Sequence, residues 1–337
     1  MDPILDDLNP AQREAVEYGE GPLMVLAGAG SGKTRVITRR IARLLRDGVP
    51  ASSILGLTFT NKAAGEMQRR VLELGGSRVQ LSTFHSACAR FLRSCGHRLG
   101  YPRDFSIYDT YDRDTCIKLL MEELSVPGRK LVKPAQIGRA ISRLKNHGIA
   151  PEEFDPGYTE IDVIVDAVYR SYQQRMLQLG AMDFDDLLLN FLAVMQQEPE
   201  VAAEYQGRFR WVLVDEFQDT NRVQYDLIRQ LTGDLHNICV VGDPDQSIYS
   251  FRGADIRNLL EFEQDYPGTA TIVLEQNYRS TVTILHAAET LIRNNLRRKD
   301  KSLRTENAEG EPLGLLVAAD PKAESREVAQ RILDLLG

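Results

Sequence analysis

The stretch Leu23–Thr34 constrains the fold of this chain more than any other part of its sequence. It reads Leu-Met-Val-Leu-Ala-Gly-Ala-Gly-Ser-Gly-Lys-Thr, so an apolar run leads into small residues and then into Lys33 and Thr34. An apolar pattern with helical spacing follows, from Val36 to Leu45. A buried strand, a glycine-rich loop and a helix in this order predict a phosphate-binding loop, or P-loop, at the edge of a parallel α/β sheet.

The glycines and the two polar residues that end this stretch have the chemistry of a phosphate site. Glycine lets the backbone curl so that its N–H groups point at an anion, and the following helix adds the positive end of its dipole. We predict that Lys33 contacts the β- and γ-phosphates of a nucleotide and that the Thr34 hydroxyl ligates Mg²⁺. The alternative is a glycine-rich turn without a ligand, which the Gly-Lys-Thr ending disfavours. The predicted loop, which has alanine rather than glycine at the first position of the pattern, comprises Ala27, Gly28, Ala29, Gly30, Ser31, Gly32, Lys33 and Thr34.

Length and composition limit the class of protein. A chain of 337 residues with 43% apolar residues is long enough for about two domains, or for one domain with an insertion. It has no run of about eighteen apolar residues and its first residues are acidic, so we expect an intracellular, cytoplasmic protein without a membrane partner. No Cys-x-x-Cys pair occurs, and we expect reduced core thiols at Cys88, Cys95, Cys116 and Cys239.

Charge is distributed unevenly along the chain. The net charge is −7, yet residues 90–150 hold 12 Lys and Arg against 6 Asp and Glu. A basic middle segment in an acidic protein is either a nucleic-acid face or a solvated helical surface, and charge alone does not separate the two. The basic cluster of this segment comprises Arg129, Lys130, Lys133, Arg139, Arg143 and Lys145.

Two further apolar segments, Ile54–Phe59 and Val79–Thr83, predict strands whose ends carry aromatic and polar residues. Ligands bind at the carboxyl edge of a parallel sheet. Single-stranded nucleic acid is held by rings that stack on bases and by polar groups that contact phosphates. Phe59 and Phe84 are therefore candidates for base stacking, with core packing as the alternative for both.

Residues 103–197 have a helical pattern without a convincing strand, which predicts an inserted helical subdomain between two strand-rich parts. Asp183, Asp185 and Asp186 stand near its end. They are candidates for a metal site, but Asp183 as the N-cap of the next helix is the favoured interpretation. The predicted helices are Asp112–Leu124, Pro134–Lys145, Ile161–Leu179 and Phe184–Met195.

The apolar strand predicted at Trp211–Val214 ends in two acids, Asp215 and Glu216. In a chain with a P-loop, this pattern predicts hydrolysis of a nucleoside triphosphate. Asp215 would hold Mg²⁺, mainly through water, and Glu216 would orient and deprotonate the attacking water. The alternative is a salt-bridged surface pair.

A loop with both polar and aromatic residues follows the next predicted strand, Ile238–Gly242. Gln246 is a candidate sensor of the γ-phosphate, while Tyr249 and Phe251 are candidates for base stacking. A loop that touches both ligands would couple them, because each ligand would bias the same segment. The alternative is a surface loop whose rings pack on the domain.

The strand predicted at Ala270–Leu274 is followed by Tyr278 and Arg279. Arg279 is a candidate arginine finger, because a planar and permanently charged guanidinium neutralises charge on a transferring phosphoryl group. An isolated Tyr-Arg pair is more often an ordinary surface feature. Further along, the pattern predicts a strand at Leu313–Ala318 and a last helix capped by Asp320.

Taken together, these motifs resemble those of superfamily 1 DNA helicases of the UvrD/Rep/PcrA type. The resemblance extends over essentially the whole chain and lies in the joint order of the motifs. It implies a RecA-like α/β fold, ATP and Mg²⁺ as cofactors, and 3′-to-5′ translocation on single-stranded DNA with duplex unwinding, in DNA repair or replication. The motifs are Gln12, Ala27–Thr34, Thr58–Met67, Thr83–His85, Asp215–Thr220, Gly242–Ala254 and Gln276–Ser280.

The resemblance also implies roles for single residues. Gln12 would read the adenine, Arg35 would lie near it and Tyr278 would stack on it. The implied catalytic residues are Lys33, Glu216, Gln246 and Arg279. The implied DNA contacts, among which Phe251 replaces a tryptophan of many family members, are Phe59, Thr60, Asn61, Lys62, Thr83, Phe84, His85, Tyr249, Phe251 and Arg252.

The resemblance divides the chain into parts of two motor domains. Residues 1–105 and 196–280 would form the first RecA-like motor domain, residues 106–195 the helical insertion, and residues 281–337 the incomplete beginning of a second motor domain. Translocation needs two lobes that close around ATP, so we expect the isolated chain to keep the phosphate site without efficient coupled unwinding.

The expected partners are single-stranded DNA, junctions of single-stranded and duplex DNA, and repair or replication proteins. Two alternative functions stay open on the sequence. One is a P-loop ATPase that acts on RNA or protein. The other is a nucleic-acid-binding module that does not hydrolyse ATP.

Overall fold

A six-stranded parallel sheet forms the centre of the protein. The computed structural model describes residues 2–125, 132–157, 159–295, 299 and 301–336, without the side chain of Arg252. The strands are β1 (Leu23–Ala27), β2 (Ile54–Thr58), β3 (Gln80–Thr83), β4 (Ser106–Tyr108), β5 (Ala181–Asp183), β6 (Trp211–Val214), β7 (Ile238–Gly242), β8 (Ala270–Leu274), β9 (Gln276–Asn277) and β10 (Arg304–Thr305). The central sheet has the order β3-β2-β6-β7-β1-β8, which confirms the predicted parallel α/β fold.

Helices cover both faces of this sheet and form the insertion. They are α1 (Pro10–Glu17), α2 (Lys33–Arg46), α3 (Asn61–Glu73), α4 (Phe84–Cys95), α5 (Thr110–Glu123), α6 (Pro134–Asn146), α7 (Glu160–Gln178), α8 (Phe184–Gln197), α9 (Pro199–Arg208), α10 (Arg222–Thr232), α11 (Arg257–Leu260), α12 (Phe262–Asp265), α13 (Val282–Ile292) and α14 (Pro321–Leu336).

Strand β1, which lies between β7 and β8, is buried on both faces, and its side chains alternate between two cores. Met24 and Leu26 pack with residues of α4, α8 and α10. Leu23, Val25 and Ala27 pack with residues of α1, α2 and α3. This double burial explains why the strand reads as a continuous apolar run rather than as an alternating pattern. It also fixes the P-loop, which leaves β1 at the carboxyl edge of the sheet.

The helical insertion has a core of its own. Ile117 of α5, Ile137 of α6 and Tyr169 of α7 belong to one buried cluster, separate from the two clusters against the sheet. The expectation that this block contains no strand is wrong at one place, where β4 and β5 pair in parallel at the two ends of the insertion. Each of these strands has three residues, too few to give a periodic signal in the sequence.

A buried ion cluster ties α6 of the insertion to the start of α8. The Lys145 ammonium lies 2.8 Å from Asp183 Oδ2 and 2.6 Å from Asp186 Oδ1. Although burial alone would lower the pKa of Lys145, these two carboxylates raise it above its usual range. Asp183 is also the N-cap of α8, as predicted. Lys145 therefore does not belong to an exposed basic surface, which corrects the interpretation of the basic cluster at this residue.

Two other members of the predicted basic cluster, Arg129 and Lys130, lie outside the described residues. All four cysteines are buried free thiols, as expected. No helix of the described chain combines the length and the apolar content that crossing a bilayer requires.

The strand predicted at Leu313–Ala318 does not form. A strand is stabilised by hydrogen bonds to a neighbouring strand, and no described strand pairs with this segment. Its apolar residues Leu315 and Val317 are exposed. The last helix, α14, forms as predicted, and the Asp320 carboxylate accepts a hydrogen bond from the Ala323 N–H at 2.8 Å.

Candidate nucleotide pocket and nucleic-acid groove

The predicted P-loop joins β1 to α2 in a conformation that depends on glycine. Gly30 and Gly32 have φ values of +67° and +89°, which side chains rarely adopt. A Cβ atom at Gly30 would also come within 2.6 Å of the Cβ atom of Arg279. The Ser31 hydroxyl donates to the Gly28 carbonyl at 2.8 Å and closes the loop. The backbone thus turns sharply and meets a second segment, which carries Arg279.

The Lys33 ammonium is buried at the start of α2 without a hydrogen-bond partner in the described chain. It lies 3.6 Å from Glu216 Oε2. A buried ammonium without hydrogen bonds is unfavourable unless a ligand completes its surroundings. A phosphate group has the charge and the acceptor oxygens that this position lacks. Lys33 therefore fits the predicted contact with the β- and γ-phosphates.

Thr34 and Asp215 lie together beside Lys33, with 3.5 Å between Thr34 Oγ1 and Asp215 Oδ2. Burial, and then the nearby charge of Glu216, raise the pKa of Asp215 to about 7. A cation at this position would relieve that penalty. The described residues contain no group of three His, Cys, Asp or Glu side chains suited to hold a metal alone. This donor set fits Mg²⁺ shared with phosphate and water, with Thr34 and Asp215 as its protein ligands.

Lys33, Thr34 and Glu216 line one cavity of about 440 Å³, whereas Asp215 lies beside it. Most of the predicted nucleotide residues line it: Ala29, Gly30, Gly32, Lys33, Thr34, Arg35, Glu216, Gln246, Tyr278 and Arg279. Ala27 is buried as the last residue of β1, and Ser31 is buried within the loop. Ala27 and Ser31 therefore do not line the cavity but pack beneath the residues that do. The structure thus brings together residues from four separate sequence motifs.

The candidate adenine end of the cavity is formed by Arg35 and Tyr278. The Arg35 guanidinium carbon lies 5.9 Å from the centre of the Tyr278 ring. The Tyr278 hydroxyl accepts a hydrogen bond from Asn9 Nδ2 at 3.0 Å. This places an exposed aromatic face beside a planar cation, as the predicted adenine contacts require.

Gln12 occupies a different place from the one its predicted role suggests. Its side chain is fully buried, its amide nitrogen donates to the Ser31 carbonyl at 2.8 Å, and its amide oxygen accepts from the Asn9 N–H at 3.2 Å. Gln12 therefore supports the P-loop from behind. Its contact with adenine stays a prediction, and that contact requires the buried amide to become accessible.

Two residues of the pocket were not found from the sequence. Asn277 donates to the Ala29 carbonyl at 2.6 Å and accepts from the N–H groups of Arg279 and Ser280 at 2.9 and 2.8 Å, so it holds the arginine segment against the P-loop. Arg70 of α3 lines the cavity and forms an ion pair with Glu66. The buried asparagine before Tyr278 was a possible signal, whereas Arg70 resembles any surface arginine of a helix.

A second cavity, of about 790 Å³, lies between the carboxyl edge of the sheet and the insertion; we call it the groove. Phe59, Tyr249 and Phe251 line its sheet side. Arg139 and Arg143 of α6 line its insertion side. The groove thus has an aromatic wall that faces a basic wall. This is the combination that holds single-stranded nucleic acid without sequence preference.

The rings of the aromatic wall form a row. The centres of Phe59 and Tyr249 are 5.6 Å apart with 23° between the ring planes, and the centres of Tyr249 and Phe251 are 5.9 Å apart. Phe251 is 76% exposed, which disfavours the alternative that it packs on the domain. A row of rings with an exposed end offers flat surfaces to successive bases.

The structure corrects the prediction for Phe84. This ring is only 3% exposed and packs in the core beneath the sheet, so it has no surface on which a base can stack. Its neighbour Thr83 caps α4 by accepting from the Ser86 N–H at 3.2 Å. His85 lines the groove, and burial lowers its pKa. Of this motif, His85 thus lines the groove, whereas Phe84 does not reach it and Thr83 is buried as the cap of α4.

The remaining predicted DNA contacts surround the start of α3. Thr60 lines the groove and caps α3, with its hydroxyl accepting from the Ala63 N–H at 3.1 Å. Asn61 and Lys62 are exposed on the first turn of the same helix. The Arg252 side chain lies outside the description, so its DNA contact stays a prediction.

A polar network closes the groove on the insertion side. Asn146 of α6 donates to Asp185 Oδ1 at 3.0 Å and accepts from the Asn221 amide. The Ser142 hydroxyl donates to Asp185 Oδ2 at 2.6 Å. Asp183, Asp185 and Asp186 thus all bind groups of the protein itself, which corrects the alternative of a metal site there.

A third cavity, of about 480 Å³, lies between the nucleotide pocket and the groove. It is lined by Asp215, Glu216 and Gln246 on the nucleotide side, and by Phe59 and Tyr249 on the groove side. The loop after β7 therefore contributes residues to all three cavities. Its polar end reaches the phosphate-binding side and its aromatic end reaches the groove.

Comparison with known proteins gives this arrangement a family. Residues 8–267 match the family described as UvrD/REP helicase N-terminal domain. Residues 272–337 match the family described as UvrD-like helicase C-terminal domain. The boundary between the two matches falls at β8, the edge strand of the sheet that leads to Tyr278 and Arg279.

Curated relatives agree with the family matches. ATP-dependent DNA helicase PcrA of Bacillus subtilis (strain 168) is 47% identical over 339 residues, which cover 98% of this chain and 46% of the relative. PcrA of Staphylococcus aureus (strain Mu50) is 45% identical over 338 residues, with 99% and 46% covered. ATP-dependent DNA helicase UvrD1 of Mycobacterium bovis is 47% identical over 347 residues, with 98% and 45% covered. The chain spans about half the length of these relatives. This chain belongs to the UvrD/REP helicase family.

Proposed function

We propose that this chain is the nucleotide-binding half of an ATP-dependent DNA helicase that translocates 3′ to 5′ on single-stranded DNA. The observation that carries the proposal is the loop after β7. Gln246 of this loop lines the nucleotide pocket, while Tyr249 and Phe251 line the groove. A loop with one end in each site lets occupation of one site bias the other.

In the proposed hydrolysis step, each group of the pocket has a separate task. Lys33 and the N–H groups of the P-loop bind the phosphates and offset their negative charge. Mg²⁺, when bound, neutralises charge on the β- and γ-phosphate oxygens. Glu216 accepts the proton of the attacking water, because its carboxylate is partly exposed to the cavity beside Lys33.

Gln246 and Arg279 complete the phosphate end. Both line the pocket, and the Arg279 backbone is fixed by Asn277. A guanidinium held at this position can stabilise charge that develops on the transferred phosphoryl group. Tyr278 and Arg35 would position the base at the other end, where an aromatic face and a planar cation are available.

In the groove, bases would stack on Phe59, Tyr249 and Phe251, and phosphates would pair with Arg139 and Arg143. Stacking is tolerant of sequence, because every base offers a flat face. The proposal therefore predicts binding of single strands with little preference for sequence. We place the activity in DNA repair or replication in the cytoplasm, at junctions of single-stranded and duplex DNA.

ATP turnover measured with DNA, with RNA and without nucleic acid tests the proposal. A single-stranded DNA oligonucleotide should stimulate turnover, whereas an RNA oligonucleotide of the same sequence should not. Equal stimulation by RNA and DNA would contradict the proposed substrate. So would a rate of turnover that neither nucleic acid changes.

Strand displacement tests the two-lobe part of the proposal. A chain extended through a complete second motor domain should unwind a duplex with a 3′ tail and leave one with a 5′ tail intact. Residues 1–337 alone should show little displacement. Full unwinding by residues 1–337 alone would contradict the need for a second lobe.

A further inference from the structure

Gln218 lies between the ends of β6 and β7, and its position in the acidic motif predicts no separate role for it. Its side chain is 1% exposed. The amide nitrogen donates to Glu216 Oε2 at 3.0 Å and to Asp219 Oδ2 at 3.1 Å. The amide oxygen accepts from the Asp243 N–H at 2.9 Å. One side chain thus connects the acidic motif to the first residue of the loop after β7.

The partners of Gln218 determine which way its amide points. Carboxylates only accept hydrogen bonds when ionised, and a backbone N–H only donates. The amide nitrogen must therefore face Glu216 and Asp219, and the amide oxygen must face Asp243. A carboxylate in place of this amide would repel both acids and offer no donor to them. The position requires an amide rather than any polar side chain of similar size.

Glu216 depends on this bond for its orientation. Its backbone has a φ value of +53°, a conformation uncommon for residues other than glycine. Its side chain is 34% exposed, and Lys33 lies 3.6 Å away. Among the described residues, only Gln218 donates a hydrogen bond to the Glu216 carboxylate. Gln218 holds one carboxylate oxygen and leaves the other available toward the cavity.

The neighbouring strand leaves space for Gln218. A Cβ atom at Gly242 would lie 2.9 Å from Gln218 Oε1 and 3.3 Å from the Gln218 backbone nitrogen. The end of β7 is therefore compatible with this amide only when residue 242 has no side chain. A second contact lies on the same loop, where the Ser247 hydroxyl donates to the Gln218 carbonyl at 3.3 Å.

We propose that Gln218 is a positioning residue that orients the Glu216 carboxylate and makes that orientation depend on the loop after β7. The loop bears Tyr249 and Phe251 in the groove, so a shift of the loop on DNA binding would reach Glu216 through the Asp243–Gln218 bond. The inference rests on the proposed function, since it assumes that Glu216 acts on the attacking water.

The test compares Gln218→Ala and Gln218→Glu with the unsubstituted chain and with Gln206→Ala as control. Gln206 is a half-buried glutamine whose amide nitrogen donates to the Gln230 carbonyl of α10, and it lines none of the three cavities. The readouts are kcat for ATP with and without a single-stranded DNA oligonucleotide, the Kd of a fluorescent ATP analogue, and the melting temperature.

Gln218→Ala should lower kcat about 10- to 100-fold, because a charge-assisted bond that aligns the base is lost, while the analogue Kd changes less than twofold. Stimulation by DNA should largely disappear. Gln218→Glu, which keeps the side-chain volume, should lower kcat further because it adds a third carboxylate. Gln206→Ala should behave like the unsubstituted chain.

Three results would overturn the inference. One is a kcat of both Gln218 variants within twofold of the unsubstituted chain. Another is a parallel loss of kcat, analogue affinity and melting temperature in both variants, which would indicate a role in folding alone. The third is an unsubstituted chain without turnover, which would remove the proposed function as well. The first two leave the proposed function standing, so the failures are distinguishable.

Discussion

Lys33 and Lys145 are both buried lysines, yet their surroundings are opposite. Lys33 lies at the start of α2 and its ammonium has no hydrogen-bond partner in the described chain. Lys145 lies in α6 and its ammonium contacts two carboxylates within 2.8 Å. A buried ammonium without hydrogen-bond partners from the protein is suited to bind an anionic ligand. A buried ammonium that is paired with carboxylates of the protein stabilises the fold instead. The comparison separates the nucleotide pocket from the insertion on physical grounds.

Removing the Lys33 ammonium should have the largest effect, and on activity alone. Lys33→Ala should lower ATP turnover about 1000-fold, since a preorganised positive group at the phosphates is lost. The free energy of unfolding should change by less than about 1 kcal/mol, because no internal hydrogen bond is broken. Turnover assays and urea denaturation measure the two quantities. The matched control is Lys118→Ala, at an exposed lysine of α5.

Removing the Lys145 ammonium should have the reverse effect. Lys145→Met leaves Asp183 and Asp186 buried without their cation, which should cost about 3–4 kcal/mol of unfolding free energy. Nucleotide affinity of the folded fraction should stay within twofold. Urea denaturation and binding of a fluorescent ATP analogue check both. An unchanged free energy of unfolding in Lys145→Met would contradict the proposed difference between Lys33 and Lys145.

The exposed end of the aromatic wall allows a matched test of the groove. Phe251→Ala should weaken binding of single-stranded DNA about tenfold, because one stacking surface is worth roughly 1–3 kcal/mol. Tyr111→Ala is the control, since Tyr111 is 79% exposed and Phe251 76% exposed, but Tyr111 lies outside the groove. Fluorescence anisotropy with a labelled oligonucleotide measures the affinities. Equal effects of the two changes would contradict the placement of DNA on this wall.

The smallest expected effect concerns Asp219, whose pKa is raised to about 6 by burial and then by the charge of Glu216. The folded state binds this proton more tightly than the unfolded state, so the contribution of this group to stability falls as pH rises from about 4 to 6. Asp219→Asn should remove that slope. The variant should gain about 1 kcal/mol relative to the unsubstituted chain at pH 8, after allowance for solvent screening. Urea denaturation at pH 4 and pH 8 would show no such difference if the carboxyl group titrates normally.

The nucleotide pocket could be predicted from the sequence largely residue by residue. Strand, loop and helix follow one another within Leu23–Arg46, so local pattern alone specifies the P-loop. The acidic motif and Arg279 come from distant segments, but the strands that lead to them, β6 and β8, belong to one parallel sheet. The carboxyl ends of such strands meet at one edge. Sheet topology therefore brings these motifs together without further information.

The groove could be predicted only in part, because its second wall depends on how the insertion packs. Whether a basic residue of α6 faces the groove, as Arg139 does, or the core, as Lys145 does, is decided by helix packing rather than by composition. Phe84 illustrates the same limit, since an aromatic residue at a strand end fits both core and groove. The role of Gln218 could not be predicted from the sequence, because it depends on three contacts that only the fold creates, with Glu216, Asp219 and Asp243.

The central claim is that one loop couples the nucleotide pocket to the groove, and thermodynamic linkage tests it most directly. The Kd of a single-stranded DNA oligonucleotide is measured with and without a non-hydrolysable MgATP analogue, and the Kd of the analogue is measured with and without DNA. We predict that each ligand changes the affinity of the other by the same factor, about fivefold or more. The claim would be contradicted if the Kd of DNA did not change with the analogue and the Kd of the analogue did not change with DNA.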